Sequence, residues 1–281
     1  MATQLWAAQQ QIKIYDAITG QFTTRKPRPR MKMDPRDIVG DFDSYFDIVP
    51  AYSDALRDEV YKIRYHVYAE ELGWENTKQF PDEREFDEYD TRSIHCLLKH
   101  RPSDQFVGCV RLVLADPNDP TLLLPIEKLY DRPFSTEGFV ADSSARRSFG
   151  EISRIAVLSK FRHRPGEQNI PDTINLDHSH HDPKGRRRFP HIALGLYLAA
   201  AAIGVSRDLT VVLAMMEPKL ARRLRIFGIR FEKIGEPIDH HGHRAAYRLT
   251  RDSFEDSLSP PLRELLAFIR SKVDCETPSE P

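Results

Sequence analysis

Cysteine is scarce in this sequence. Three occur in 281 residues, at Cys96, Cys109 and Cys275, and no two form a CxxC pair. That spacing excludes a disulfide framework and a zinc ribbon, and fits a reducing compartment. Net charge is nearly absent too: 41 basic residues face 42 acidic ones, leaving −1 at neutral pH. Overall charge therefore implies neither nucleic acid nor an anionic membrane; only local patches would. Long apolar runs are missing. The longest, Ile192 to Val205, is too short to cross a bilayer. Met1 to Trp6 lack the basic start and apolar stretch of a signal peptide. There is no internal repeat. The expectation is a cytoplasmic protein with no integral membrane segment, long enough to bury a real core.

What is present is organised around Gly150-Glu151-Ile152-Ser153-Arg154-Ile155-Ala156-Val157-Leu158. Ionisable residues enter a β-branched, apolar run, and the basic, breaker-rich Lys160 to Gly166 follows. This reads as a central strand with charged groups at its entry. Ahead of it, Phe46–Pro50 reads as a short strand. Ser53 caps an amphipathic helix over 54–71 with Leu56, Val60, Ile63 and Val67 inside; Arg64 and Tyr68 share one face of it. Residues 75–92 are polar and acidic, a loop by composition. Ile94–Leu98 and Phe106–Ala115 form a hairpin, and 125–130 a short helix. Behind the central strand come an insertion at 165–188, a buried helix at 191–207, a strand at 209–215 and a basic helix at 218–227. A last strand pair turns at Asp239–Gly242, and a final helix spans 262–272. Such an order predicts an α/β sandwich with a mixed sheet. Residues 1–41 read as a flexible basic arm, 42–252 as the main domain, and 253–281 as a C-terminal helix and tail. The run Asp177–Asp182 carries three histidines but no second ligand cluster of matching spacing, so no metal site is expected.

Several ionisable residues stand in apolar or structured contexts: Arg64, Arg111, Glu151 and Arg154. With Glu85, Asp87 and Asp90 they make three guanidiniums and a set of carboxylates able to form one network. Such a network suits either a purely structural role or an enzyme that takes a proton from an ammonium and holds an acidic substrate group. Arg111 is either paired in a cleft or reaches out from a sheet edge. In an ideal strand Glu151 and Arg154 face opposite sides, so a shared site requires a bulge. The three arginines exceed what Glu151 alone neutralises. That points to a leftover cationic position for a substrate carboxylate.

The order Arg64-x3-Tyr68-x5-Trp74, Glu85-x-Asp87-x2-Asp90, Arg111, Glu151-x-Ser153-Arg154 resembles the motif set of the acyl-homoserine-lactone synthases, acyltransferases with the GCN5-related N-acetyltransferase fold. Tyr68 stands where that family usually has phenylalanine. Phe42–Ala51, Val60–Glu71 and Glu151–Val157 resemble more closely a sister group, the PEP-CTERM/exosortase-system-associated acyltransferases, which are similar to N-acyl amino acid synthases. The resemblance covers about residues 42–250. It implies a GCN5-related N-acetyltransferase-like α/β/α sandwich in which the central strand splays from the strand at 209–215. Backbone groups at Ile155, Ala156, Val157 and Leu158 would hold the phosphopantetheine arm of an acyl thioester, with no permanently bound cofactor. Glu151 would act as base, with Arg154 and Ser153 beside it. Arg64, Tyr68, Glu85, Asp87, Asp90 and Arg111 would line the acceptor side, with Trp74 as its wall or as plain core.

The glycine-poor stretch Arg162–Gly166 departs from the pyrophosphate loop of CoA-using relatives. It favours acyl carrier protein over acyl-CoA as donor, docked on Arg162, Arg164, Lys219, Arg222 and Arg223. The helix at 191–205 has more apolar surface than one sheet face needs, which suggests an acyl tunnel. The implied activity is transfer of a medium-to-long acyl group to the α-amine of a small amino-acid-like acceptor. Rival readings are a lactone synthase using S-adenosylmethionine and a non-catalytic acyl-ligand-binding module. Nucleic-acid binding by the runs Arg25–Lys32 and Arg186–Arg188 lacks interleaved aromatics and is not expected.

Overall fold

The computed structural model describes residues 12–15, 22–25, 35–116, 118–119, 121–131, 134, 147–162 and 192–276. Two compact units divide the chain at Asp34/Pro35. The first contains an antiparallel pair, β1 (Ile12–Tyr15) and β2 (Phe22–Arg25), with Ile12 opposite Arg25. The expected arm therefore carries a hairpin, and its last residues already belong to a helix of the second unit.

That helix, α1 (Pro35–Tyr45), leads into β3 (Phe46–Pro50). Ser53 accepts the Leu56 N–H at 3.3 Å and opens α2 (Asp54–Arg64). The chain then winds on as one π-helical segment, Tyr65–Glu71. The hairpin β4 (Ser93–His100) and β5 (Gln105–Leu114) follows, then α3 (Pro125–Leu129), β6 (Phe149–Val157) and the single turn α4 (Ser159–Arg162). After α5 (Ile192–Ser206) come β7 (Val211–Met216), α6 (Pro218–Ile226), β8 (Glu232–Lys233), β9 (Ile238–Asp239) and β10 (His243–Thr250). Two helices close the unit, α7 (Arg251–Ser257) and α8 (Pro260–Glu276).

The sheet runs β3-β4-β5-β6-β7-β10-β8, with β9 on β10. Its pairings are antiparallel apart from β6 with β7. Side chains alternate across a strand, and the two faces have different covers. One buries Leu97, Cys109 and Ala156 under Val60, Ile63, Val67 and Tyr68 of α2 and its continuation. On the other lies α5, where a Cβ on Gly108 would meet Leu196 at 3.2 Å. Helix α5 is apolar all round because it is covered all round. Its outer side packs on α8, and Phe42 of α1 sits on Gly195, where a Cβ would meet the ring at 2.8 Å. The surplus apolar surface of α5 is thus spent on α1 and α8, and no longer argues for an acyl tunnel. The final helix, expected over 262–272, runs from Pro260 to Glu276 and buries Leu262, Leu265, Ile269 and Val273, while the tail at 277–281 lies outside the described residues.

Two irregularities of β6 shape the centre. Parallel pairing with β7 is recorded from Phe149–Val211 to Ile152–Ala214, while β6 runs on to Val157. The two strands part there. On its other edge β6 pairs Ser153 with Arg111 and Ala156 with Cys109, so Arg154 and Ile155 together oppose Val110. This is a β-bulge, and Arg154 takes a left-handed φ of 49° within it. Close approach at the bulge also explains Gly108, whose added Cβ would sit 2.8 Å from the Ala156 carbonyl oxygen. Gly108→Ala is expected to cost about 1–3 kcal/mol by pushing the strands apart. Urea unfolding of the variant checks this; an unchanged midpoint would mean the bulge yields freely.

Candidate active site

The bulge gathers charge on one face of the sheet. Ser153 already faces α2, beside its cross-strand partner Arg111. One extra residue lets Arg154 reach the same side, which answers the spacing problem posed by Glu151 and Arg154 in the sequence. A left-handed non-glycine residue costs on the order of 1–2 kcal/mol. Four polar contacts offset it here: Glu85 Oε1 at 3.2 Å from both Nε and a terminal nitrogen, Glu75 at 3.3 Å and Asp87 at 3.5 Å.

Arg64 ends α2 with no exposed surface, and Arg111 is 1% exposed. Arg64 donates through Nε to Glu85 and through a terminal nitrogen to Asp90 at 2.6 Å. Arg111 donates to Asp87 at 2.5 Å, to Asp90 at 3.0 Å and to the Ser153 hydroxyl at 3.0 Å. The acidic segment is held in shape from within. The Glu85 N–H donates to the Tyr61 carbonyl of α2 at 3.1 Å. Asp87 and Asp90 form a reciprocal capping box on the short turn Glu88–Arg92. A run that reads as solvated loop is folded inward because two buried guanidiniums, Arg64 and Arg111, and the half-buried Arg154 need partners.

Electrostatics follow from burial. Burial alone would raise the Asp90 carboxyl, but Arg64, Arg111 and the Asp87 N–H overcome it and hold Asp90 down at about 2. The same carboxylates keep Arg64 firmly protonated against its own desolvation. Glu151 is different. Its carboxylate is 2% exposed and accepts the Ile126 N–H of α3 at 2.8 Å. Among the described residues it makes no ion pair. Burial pushes it up to about 8, against the Ile126 N–H and the Arg111 charge. Burial also drives the Cys109 thiol to about 12, so it is protonated at neutral pH and no nucleophile.

An aromatic stack adjoins the network. Tyr68 donates its hydroxyl to the Ile155 carbonyl at 2.9 Å and lies under the Arg154 guanidinium, 5.5 Å from its ring centre. Trp74 stacks on Tyr68 at 5.7 Å and on His241 at 4.8 Å. Trp74 is thus set beside the charged network through Tyr68.

The structure therefore brings together Arg64, Glu85, Asp87, Asp90, Arg111, Ser153 and Arg154, with Tyr68 and Trp74 alongside and Glu151 one pair further down the sheet. Some expectations need correction. The three guanidiniums are matched by Glu85, Asp87 and Asp90, with Glu75 in addition, so among the described residues this network has no leftover cation for a substrate carboxylate. Arg162 is half-buried and bound to Glu71, which also accepts the Ser159 N–H at 3.0 Å. It is no exposed docking cation. On α6, Lys219 and Arg222 are exposed and Arg223 is half-buried. Arg164 and the insertion with its histidines lie outside the described residues. Of the backbone proposed for pantetheine, the Leu158 N–H is already engaged by the Val107 carbonyl at 3.0 Å. Ladder alternation then turns the N–H and C=O of Val157 toward the edge where β7 has left.

Sequence reasoning missed Glu75, His95 and Arg244. Glu75 begins the acidic run immediately after Trp74. His95 stands opposite Arg111 in the β4–β5 ladder, 3.5 Å from Asp90, and burial lowers it to about 4. Its signal was a lone polar ring in an apolar strand. Arg244 had none in the sequence; it lies far away along the chain, on β10.

Residues 63–170 match the family model described as an acetyltransferase (GNAT) domain, a span that includes the whole charged network. BjaI, a CoA-dependent acyl-homoserine lactone synthase solved with MTA, is similar in structure, with a TM-score of 0.50 at 18% identity, over 84% of this chain and 90% of its own. LasI, an acyl-homoserine lactone synthase, gives 0.48 at 19%, over 76% and 95%. FeeM, an N-acyl amino acid synthase from uncultured soil microbes, gives 0.47 at 12%, over 78% and 97%. At such identities the likeness is one of fold. No curated protein matches the sequence. Domain match and fold define the class: an acyltransferase built on a GNAT-type α/β sheet. Among the described residues no helix is long and apolar enough to cross a membrane.

Proposed function

We propose that this protein is an N-acyl amino acid synthase: it moves a medium-to-long acyl group from a carrier thioester to the α-amine of an amino acid. The observation that carries the reading is the acidic surplus around Arg154, next to the proton-accepting Glu151 and close to where β6 parts from β7. An ammonium is attracted there, and Glu151 takes its proton, directly or through a water. The freed amine attacks the thioester carbonyl, forming the amide C–N bond. The C–S bond breaks and the carrier leaves as a thiol, with the proton ending on sulfur. A backbone N–H in the cleft, that of Val157 foremost, holds the oxyanion. The motif resemblance to PEP-CTERM/exosortase-associated acyltransferases supports the amino acid acceptor.

Acyl carrier protein is the proposed donor. Lys219, Arg222 and Arg225 give α6 an exposed basic side for an acidic partner, in place of Arg162. A rate that falls about tenfold or more between low and high salt with acyl carrier protein, and much less with acyl-CoA, is the expected result. Equal, salt-independent use of acyl-CoA would assign the donor site to CoA, as in BjaI. The acceptor assignment is tested by lipid extracted from bacteria overexpressing the chain: masses of N-acyl amino acids are expected. Masses of acyl-homoserine lactones would promote the S-adenosylmethionine reading.

A further inference from the structure

Arg244, unlike Arg64, Arg111 and Arg154, forms no ion pair with a carboxylate among the described residues. Its guanidinium lies over Trp74, 4.8 Å from the ring centre, and its buried Nε has no hydrogen-bond partner among the described residues. Burial lowers its pKa, and the groups that oppose this are Tyr68, Glu217 and Tyr197, none of which it bonds. These neighbours come from both sides of the sheet. Tyr68 and Trp74 belong to the layer of α2, whereas Tyr197 belongs to α5 on the other face. Arg244 follows the β9–β10 turn and lies just beyond the Ala245–Met216 pair, at the end of β7 that has separated from β6. It therefore stands past the end of β7, and its guanidinium is joined to the Arg154 network through the Trp74–Tyr68 stack.

A partly desolvated guanidinium without a carboxylate is costly unless something anionic completes it. Arg64, Arg111 and Arg154 are each paired with carboxylates. Arg64 also keeps a buried terminal nitrogen without a hydrogen-bond partner, but it lies 3.9 Å from Asp87 and has no exposed surface through which a ligand could reach it. His240 and His241 beside Arg244 add no charge at neutral pH, because burial and then the neighbouring positive groups lower both. Glu217 is the anion nearest by sequence and ladder position, but it forms no ion pair with Arg244 among the described residues.

We propose that Arg244 is the carboxylate-binding residue of the acceptor site: its Nε and one terminal nitrogen take the α-carboxylate in a forked contact, while the ammonium turns to the acidic side of the Trp74–Tyr68 stack. This rests on the amino acid reading above and names the group that recognises it. The rival source of an oxyanion is the phosphate of the donor's phosphopantetheine.

The first arm is binding without turnover. N-dodecanoylglycine and N-dodecanoylglycine amide are titrated by calorimetry into the full-length protein and its Arg244→Gln, Arg244→Lys and Arg248→Gln variants. The protein should bind the acid about 10- to 100-fold more tightly than the amide. Arg244→Gln should erase that preference, Arg244→Lys restore part of it, and Arg248→Gln, on the same strand but paired with Glu232, keep it. The melting temperature of Arg244→Gln should not fall, since the change removes an unpaired charge; a merely structural arginine would lower it. In the second arm, KM for acceptor and donor are measured separately. An Arg244→Gln effect on the acceptor KM is expected. An effect on the donor KM alone assigns Arg244 to the phosphate and overturns the proposal, as does an unchanged acid-over-amide preference. If the unaltered protein makes no N-acyl amino acid yet prefers the acid in the first arm, the synthase reading fails and the carboxylate site stands.

Discussion

Glu151→Gln is expected to fold and to lose about 100- to 10,000-fold in acyl transfer, the usual contribution of a positioned general base. The expectation rests on environment as much as on position. A carboxylate buried on β6, fed by one backbone N–H and no guanidinium, titrates at about 8. For the unaltered protein kcat/KM should therefore rise about tenfold per pH unit below 8 and level above it. The same shift has a stability signature. A raised folded-state pKa means that the folded state binds more protons than the unfolded one between about 4.5 and 8. Stability should thus decline as pH rises through that window, and the glutamine variant should decline less. Denaturant midpoints at pH 5 and pH 8 read this directly. Near-normal turnover of the variant across neutral pH would remove Glu151 from the chemistry.

Arg64→Met is expected to be the most destabilising change in the site. It leaves the Glu85 and Asp90 carboxylates buried with one guanidinium fewer, and breaking such a pair costs about 3–5 kcal/mol. For a domain of this size that is a fall of roughly 10 °C in Tm. Arg154→Met should cost much less, because Arg154 and Glu75 are both about a quarter exposed and water replaces the lost partner. Acid should have a related effect. The lowered Asp90 pKa stabilises the fold above its unfolded value of 3.8, and that contribution is lost as pH falls toward 2. Equal losses for the two arginine variants would show that the buried half of the network is not special.

Most of this fold was legible in the sequence, for identifiable reasons. The period of Leu56, Val60, Ile63 and Val67 marks α2, and the β-branched run after Glu151 marks β6; both are local signals. The partners of Arg64 and Arg111 were legible as residue types and as order along the chain. What failed was anything set by tertiary context. An apolar helix reads the same whether its outer face lines a tunnel or meets a second helix, so the role of α5 needed α1 and α8. The leftover cation was misjudged because Glu75 was counted with the solvated run, and the docking role of Arg162 because nothing in the sequence marks its pairing with Glu71. The bulge was legible only as a requirement: Glu151 and Arg154 had to share a face, and nothing in Ile152–Val157 says where the extra residue goes. Arg244 reaches the site across three strands and a long stretch of chain, a distance no periodicity encodes.

One measurement tests the central claim most directly. The purified protein is mixed with a long-chain acyl carrier protein thioester and a panel of free amino acids, their amides and S-adenosylmethionine, and the products are weighed by mass spectrometry alongside the release of carrier thiol. The account predicts N-acyl amino acids, formed only with the acids at appreciable rate, with one thiol released per amide bond made and both lost together in Glu151→Gln. Thiol release without any amide, or a lactone from S-adenosylmethionine as the sole product, would contradict it.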